Sequence, residues 1–171
     1  MKKLMWGLAL LATAKKADAG YEDFKKYPEI VEGTLNLITT KGEKKEAKVE
    51  GGGVEAVKYA KNTYGLEASF RRGVDADGNK IKLPFEDDLI DGVVSGIYYL
   101  RVQPEDKTAG GISVKEVIIS TEDTHTSNDG SIVKVTFDFI KPEVESDGTQ
   151  KPTIDWDPIP DLLAAVSTPA A

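Results

Sequence analysis

The chain of 171 residues contains no cysteine and a single histidine, His125. Without thiols there are no disulfides, thiolate metal sites, iron–sulfur clusters or cysteine nucleophiles. The compartment stays open, since an oxidising location permits disulfides without requiring them. One imidazole and no convincing Ser–Lys context leave no nucleophilic triad. Positive charge is also short: 22 Lys and Arg stand against 29 Asp and Glu, a net of -7. That balance speaks against a nucleic-acid binder held by phosphate neutralisation. No apolar run reaches the ~20 residues of a membrane span, because Lys15 and Lys16 interrupt the amino-terminal one. What remains is a binding, structural or assembly protein without a cofactor, with enzyme as the minority reading. With 40% hydrophobic and 30% charged residues, the chain has the composition of a folding domain with one core.

The amino terminus poses a fork. Met1-Lys2-Lys3, the apolar run Leu4–Leu11 and Ala12-Thr13-Ala14 have the three parts of a secretory signal. Against that, Lys15-Lys16 places positive charge directly after the small-x-small exit, and the apolar run is short. A retained segment, burying Leu4, Trp6, Leu8 and Leu10 on alternate positions of a strand or extended arm, is the preferred expectation.

Further along, the apolar period is two, which predicts strands. Leu35–Thr40 reads as a strand ending in Lys41-Gly42. Glu46–Glu50 and Val54–Ala60 flank Gly51-Gly52-Gly53, either a hairpin tip or a flexible break. Tyr64, Leu66, Ala68 and Phe70 share one face of a half-buried strand. Ile81–Leu83 reads as a short strand stopped by Pro84, and Gly96–Val102 as another. Ile112–Thr121 and Ser131–Ile140 are the clearest strands, joined by a polar loop from Glu122 to Gly130. One short helix is expected over Phe85–Val94, where Phe85, Leu89 and Val93 are four apart and Glu86, Asp87 and Asp88 occupy the first turn. Pro158–Ala171 reads as a mobile tail or docking arm. The fold class is therefore mainly β: an antiparallel sandwich or barrel with one short flanking α-helix. Three segments follow: an arm or strand over 1–20, a β domain over 21–142 and a Pro/Ala-rich tail over 143–171.

The motifs that suggest chemistry have plainer explanations. Asp75-Ala76-Asp77-Gly78-Asn79 puts glycine at position 4 where a calcium loop needs it at 6, so it reads as a turn. Glu50–Gly53 lacks the Gly-Lys-Ser/Thr of a phosphate loop. Glu122, Asp123 and His125 have no second imidazole to complete a typical metal site. Carboxylates are plentiful, but the separation that glycoside hydrolysis needs is a three-dimensional quantity. Charge distribution says more: Lys41, Lys44, Lys45 and Lys48 alternate with Glu43, Glu46 and Glu50, an exposed ribbon able to meet a partner of mixed charge or simply to face water.

The runs Glu32–Leu37, Thr40–Ala47, Glu50-Gly51-Gly52, Lys58-Tyr59, Thr63-Tyr64, Val102–Asp106 and Val135–Pro142 resemble, in layout and phrasing, the major tail tube proteins of tailed bacteriophages. The resemblance covers roughly residues 30–142. It implies two packed antiparallel sheets with a flanking helix at Phe85–Val94, subunits joined into hexameric rings, and rings stacked into a tube that conducts DNA without binding it specifically. Tubes of contractile injection systems share that architecture. The hairpin around Lys41–Tyr59 would reach the neighbouring ring. On this reading the protein works in the virion, with itself and other tail proteins as partners, and is made in the host cytoplasm. Lys44, Lys45, Glu50, Tyr59, Tyr64, Phe85 and Leu89 are the expected subunit contacts, with core packing the alternative for Tyr64, Phe85 and Leu89. Two other roles stay open: a secreted, periplasmic or surface β-sandwich that binds carbohydrate or protein, and another virion component such as a capsid decoration or head–tail joining protein.

Overall fold

The computed structural model describes residues 1–166. Alternation sets most of its strands. In β7 (Thr63–Arg71) Leu66, Ala68 and Phe70 are buried, and in β12 (Gly130–Phe139) Val133, Val135, Phe137 and Phe139 are. Intervening residues face outward, as expected for a sheet with one packed face. The remaining strands are β1 (Leu10–Ala17), β2 (Gly20–Tyr21), β3 (Lys25–Lys26), β4 (Asn36–Thr40), β5 (Lys44–Lys48), β6 (Val54–Tyr59), β8 (Leu89–Ile90), β9 (Val93–Val94), β10 (Tyr98–Gln103) and β11 (Ile112–Thr126). Ten of them form one antiparallel sheet along the path β2-β1-β10-β11-β12-β7-β4, with β3 on β1, β9 on β11 and β8 on β9. β5 and β6 form a separate two-stranded sheet.

The short segment 25–31 ties opposite ends of this path together. Lys25 and Lys26 pair with Thr13 and Ala12 of β1, and the Tyr27 N–H donates to Leu11 O at 2.9 Å. Three residues on, Ile30 bridges Phe70 of β7 and the Val31 N–H donates to Ser69 O at 2.9 Å. Between these attachments the Tyr27 ring enters the core, with ring centroids 5.4 Å from Phe70, 5.8 Å from Phe137 and 5.9 Å from Phe85. Its buried hydroxyl accepts a hydrogen bond from Thr13 Oγ1 at 3.1 Å, and burial pushes its pKa far up. The core around it draws on β1, β7, β10, β11 and β12, with Leu83, Phe85 and Ile154 from the connections.

The expected flanking helix is absent. Residues 86–88 make a single 3-10 turn, after which β8 and β9 form a hairpin whose corner, Asp91-Gly92, takes φ of +47° and +83°. An Asp-Gly corner between β-branched residues is a strong hairpin signal, and it overrides the four-residue spacing of Phe85, Leu89 and Val93. Phe85 and Val94 are buried while Val93 is exposed. Lys15 and Tyr98 anchor the turn through Asp88, with Lys15 Nζ 3.0 Å and the donating Tyr98 hydroxyl 2.9 Å from Oδ2. Those two hydrogen bonds hold the Asp88 carboxyl below its ordinary range.

Three further expectations are corrected. Ile81–Leu83 is not a strand: Lys80 bridges Val74, the Ile81 N–H donates to Gly73 O at 2.9 Å, and Leu83 then dips into the core. The loop from Glu122 to Gly130 is mostly ladder, since β11 runs to Thr126 and pairs Glu122 through Thr126 with Lys134 through Gly130. The β11 side of this ladder is exposed at every residue from Glu122 to Thr126, so no alternation marks it. At the amino terminus, Leu4, Trp6, Leu8 and Leu10 are 60%, 74%, 83% and 42% exposed, and the buried run is Leu11-Ala12-Thr13-Ala14. β1 is covered on both faces, Leu11 by the main core and Ala12 and Ala14 by a second cluster with Phe24 and Leu162.

That second cluster answers for the carboxyl-terminal segment as far as it is described. Asp155 bridges Ser113, Gln103 Nε2 donates to Ile159 O at 2.7 Å, and Arg101 donates to Leu162 O and Ala164 O at 3.2 and 2.6 Å. The Arg101 guanidinium lies 3.9 Å from the Phe24 ring centroid, a cation–π contact. Residues 155–164 thus strap the outer face of β10 and β1, and the rest of the expected tail, 167–171, lies outside the described residues.

Two outcomes test this packing. Phe85→Ala should cost about 3–5 kcal/mol in urea unfolding, whereas Tyr59→Ala on the exposed β6 should stay within about 0.5 kcal/mol. Asp88, whose pKa is depressed on folding, contributes stability that is complete above its unfolded value near 3.8 and is lost as pH falls below it. Asp88→Asn should lower stability at neutral pH and flatten the acid limb of the stability–pH curve, which unfolding across the acid range will read.

Candidate functional site

The β4–β7 ladder ends at Thr40 and Thr63, and beyond it the chain continues outward as the β5–β6 hairpin. At the base, the Gly42 N–H donates to Asn62 Oδ1 at 3.0 Å and the Ala60 N–H to Glu43 O at 2.8 Å. The backbones come so close that a Cβ on Gly42 would overlap the Ala60 carbonyl. Lys61 Nζ donates to Gln150 Oε1, and Lys141 Nζ to Lys61 O at 3.3 Å, fastening this base to the chain after β12. Every residue of β5 and β6 is exposed.

The register separates two faces. Lys44 stands opposite Tyr59 and Glu46 opposite Val57, while Lys45 stands opposite Lys58 and Ala47 opposite Ala56. Glu46 forms ion pairs with Lys44 and Lys48, and Lys41 Nζ lies 5.6 Å from the Tyr59 ring centroid. One face therefore carries charge along β5 and exposed apolar groups, Val57 and Tyr59, along β6, with Val54 and Val49 exposed toward the tip. Residues 41–61 hold six lysines and four glutamates, a net of +2 within a chain of net -7. A two-stranded ribbon of this kind, exposed on both faces, is marginally stable by itself.

Of the residues expected to make contacts, Lys44, Lys45, Glu50 and Tyr59 lie on this hairpin, with Glu50 at its tip. Tyr64 sits just below the base, half-buried against the core. Phe85 is fully buried and Leu89 packs partly buried against the core, so both serve packing within this chain. Val49, Val54 and Val57, and also Ile90 and Val93 on β8–β9, are exposed apolar residues outside the expected contact set. The available signal was β-branched residues in a stretch with no second hydrophobic stripe to cover them.

Groups considered for chemistry are engaged elsewhere. Arg72 donates to Asp123 at 2.9 Å and Glu86 at 3.0 Å, and His125 Nδ1 lies 2.7 Å from Ser131 Oγ across the β11–β12 ribbon. Asp75 Oδ1 accepts the N–H groups of Asp77 and Asn79, closing a turn on itself. Among the described residues there is no group of three or more His, Asp or Glu side chains placed to hold a metal ion. Two open grooves flank Trp156: one of about 440 Å³ beside the hairpin base, lined by Asn62, Tyr64 and Gln150, and one of about 760 Å³ against Tyr21 and Tyr99. No protein-family model matches the chain, and no curated protein matches it.

Gly42→Ala should open the hairpin base while leaving the main sheet in place. The expected result is faster proteolysis within residues 41–61 at a nearly unchanged global melting temperature; cleavage at the wild-type rate would show that the close approach at Gly42 does not hold the base.

Proposed function

We propose that this protein is a structural subunit that assembles with copies of itself, as the major tail tube proteins of tailed bacteriophages do, into stacked rings forming a conduit for DNA. The observation that carries the reading is surface. The chain exposes 11718 Å², where a compact monomer of its mass exposes about 8,200 Å². The excess, about 3,500 Å², is on the scale that obligate assemblies bury. The β5–β6 hairpin and the apolar side chains of residues 4–8 contribute to it.

The body suits the role. Segment 25–31, bonded to both β1 and β7, draws the two sides of the sheet together around one core, a body from which the β5–β6 hairpin projects. Net acidity is compatible with a DNA conduit, since a basic lining would hold phosphate through counterion release. Burial of Leu11–Ala14 supports a retained amino terminus, because cleavage after Ala14 would remove the part of β1 that joins β10 to β3. On that reading the protein is made in the host cytoplasm and works in the virion.

Negative-stain electron microscopy of the purified chain, paired with intact mass, is the test. Rings or hollow tubes at full mass are expected; a monomer shortened by about 14 to 19 residues, at the small-x-small exits, would replace this reading with a secreted binding module. Reversing Lys44 and Lys45 to Glu should impair stacking with the fold intact by circular dichroism, and normal tubes would remove the hairpin from the contact.

A further inference from the structure

The basic hairpin projects from one end of β7, and two carboxylate-rich stretches form a separate acidic surface that reaches the other end at Arg72. Thr63 is at the hairpin base, and Arg71 and Arg72 are at the far end, across a nine-residue strand of about 27 Å. Arg72 there reaches Glu86 and Asp123, and Arg71 donates to Asp129 O at 3.0 Å. Residues 86–94 carry Glu86, Asp87, Asp88 and Asp91 with no Lys or Arg, and residues 120–129 carry Glu122, Asp123 and Asp129, again with none. The two stretches are joined where the Thr121 N–H donates to Gly92 O at 3.0 Å and Ser120 pairs with Val93.

Within this acidic rim lies an unpartnered apolar patch. Leu89 and Val94 turn toward the core, which sends Ile90 and Val93 outward at 75% and 68% exposure, beside Ile118 on β11. Scattered apolar residues on a surface need no explanation, but three β-branched side chains grouped on adjoining strands mark a contact. The hairpin offers the converse: Val54, Val57 and Tyr59 exposed along β6, with Lys44 and Lys48 alongside.

We propose that the Ile90–Val93–Ile118 patch is the receptor for the β5–β6 hairpin of a second copy of this chain. The apolar stripes meet and the hairpin's lysines face Asp87, Asp91 and Glu122 of the rim. The inference rests on the self-assembly proposed above and names the surface it uses. Opposite charge selects this pairing over hairpin against hairpin, where lysines would meet lysines. Because donor and receptor are different surfaces of the chain, the contact is head-to-tail, leaves one of each free for another copy, and propagates instead of closing as a dimer.

The absence of native cysteine makes the test clean. Val57→Cys and Val93→Cys are prepared separately, checked by circular dichroism, mixed and oxidised, with sedimentation and electron microscopy on the same samples. A disulfide dimer in the mixture and in neither variant alone is expected, with a ladder of higher species from the double variant. Rings or tubes that give no mixed cross-link would overturn the receptor and leave self-assembly standing, whereas a chain that stays monomeric would overturn both. Cross-linking of Val57→Cys with itself would mean that hairpins pair with each other, against this proposal. As a second line, Lys44→Glu with Lys48→Glu should abolish the mixed cross-link, and Asp87→Lys with Glu122→Lys on the receptor variant should restore it. Failure of that rescue would sink the charge argument.

Discussion

The rest of the fold depends on one seven-residue crossing, Lys25 to Val31, with Tyr27 at its centre. Its backbone bonds to β1 at one end and to β7 at the other, so the sheet has no open edge where it crosses. An open edge would present unpaired N–H and C=O groups to other chains. The ring of Tyr27 then fills the interior between Phe70, Phe85 and Phe137, while Thr13 satisfies its hydroxyl. A large ring and a paired polar tip let one side chain both fill and orient a core. Phe85, Leu83 and Ile154, all from connections, close over what remains.

A closed core spends its apolar residues inward and leaves the outer face to be managed separately. On β10 and β1 that is done by the strap from Asp155 to Ala164, held by Arg101 and Gln103 and seated on small residues, Ala12 and Ala14, that allow close approach. On β8–β9 and on β5–β6 nothing within the described chain covers the exposed apolar side chains. The molecule thus carries a basic ribbon beyond the Thr63 end of β7 and a separate acidic, partly apolar surface on β8, β9 and β11. On the proposed function, this separation is what would give self-association a direction.

Legibility of the sequence followed the physics of each element. β7 and β12 were plain because each has one buried and one solvated face, which prints a period of two. At β5–β6 the three glycines fitted a hairpin tip or a flexible break equally, because a ribbon exposed on both faces has no apolar alternation to choose between them. The outer part of β11 was hidden because a stretch exposed at every residue carries no alternation. At β1 the buried run LATA, covered on both faces, read as part of an apolar leader, and the alternating Leu4, Trp6, Leu8 and Leu10 ahead of it suggested the wrong buried set. For Phe85–Val94, helical spacing competed with the Asp91-Gly92 corner, and the local turn preference won.

Composition and pattern alone determined the β class, the position of the main central strands and the poverty of thiols and imidazoles. These are local properties: alternation, turn residues and residue chemistry act over a few positions at a time. Tertiary structure alone decided that segment 25–31 bonds to both β1 and β7, that the carboxyl-terminal segment returns to cover β1, and that Arg72 meets Glu86 and Asp123. Each depends on contacts between residues far apart in the chain, and no local signal records which distant strand a segment will meet.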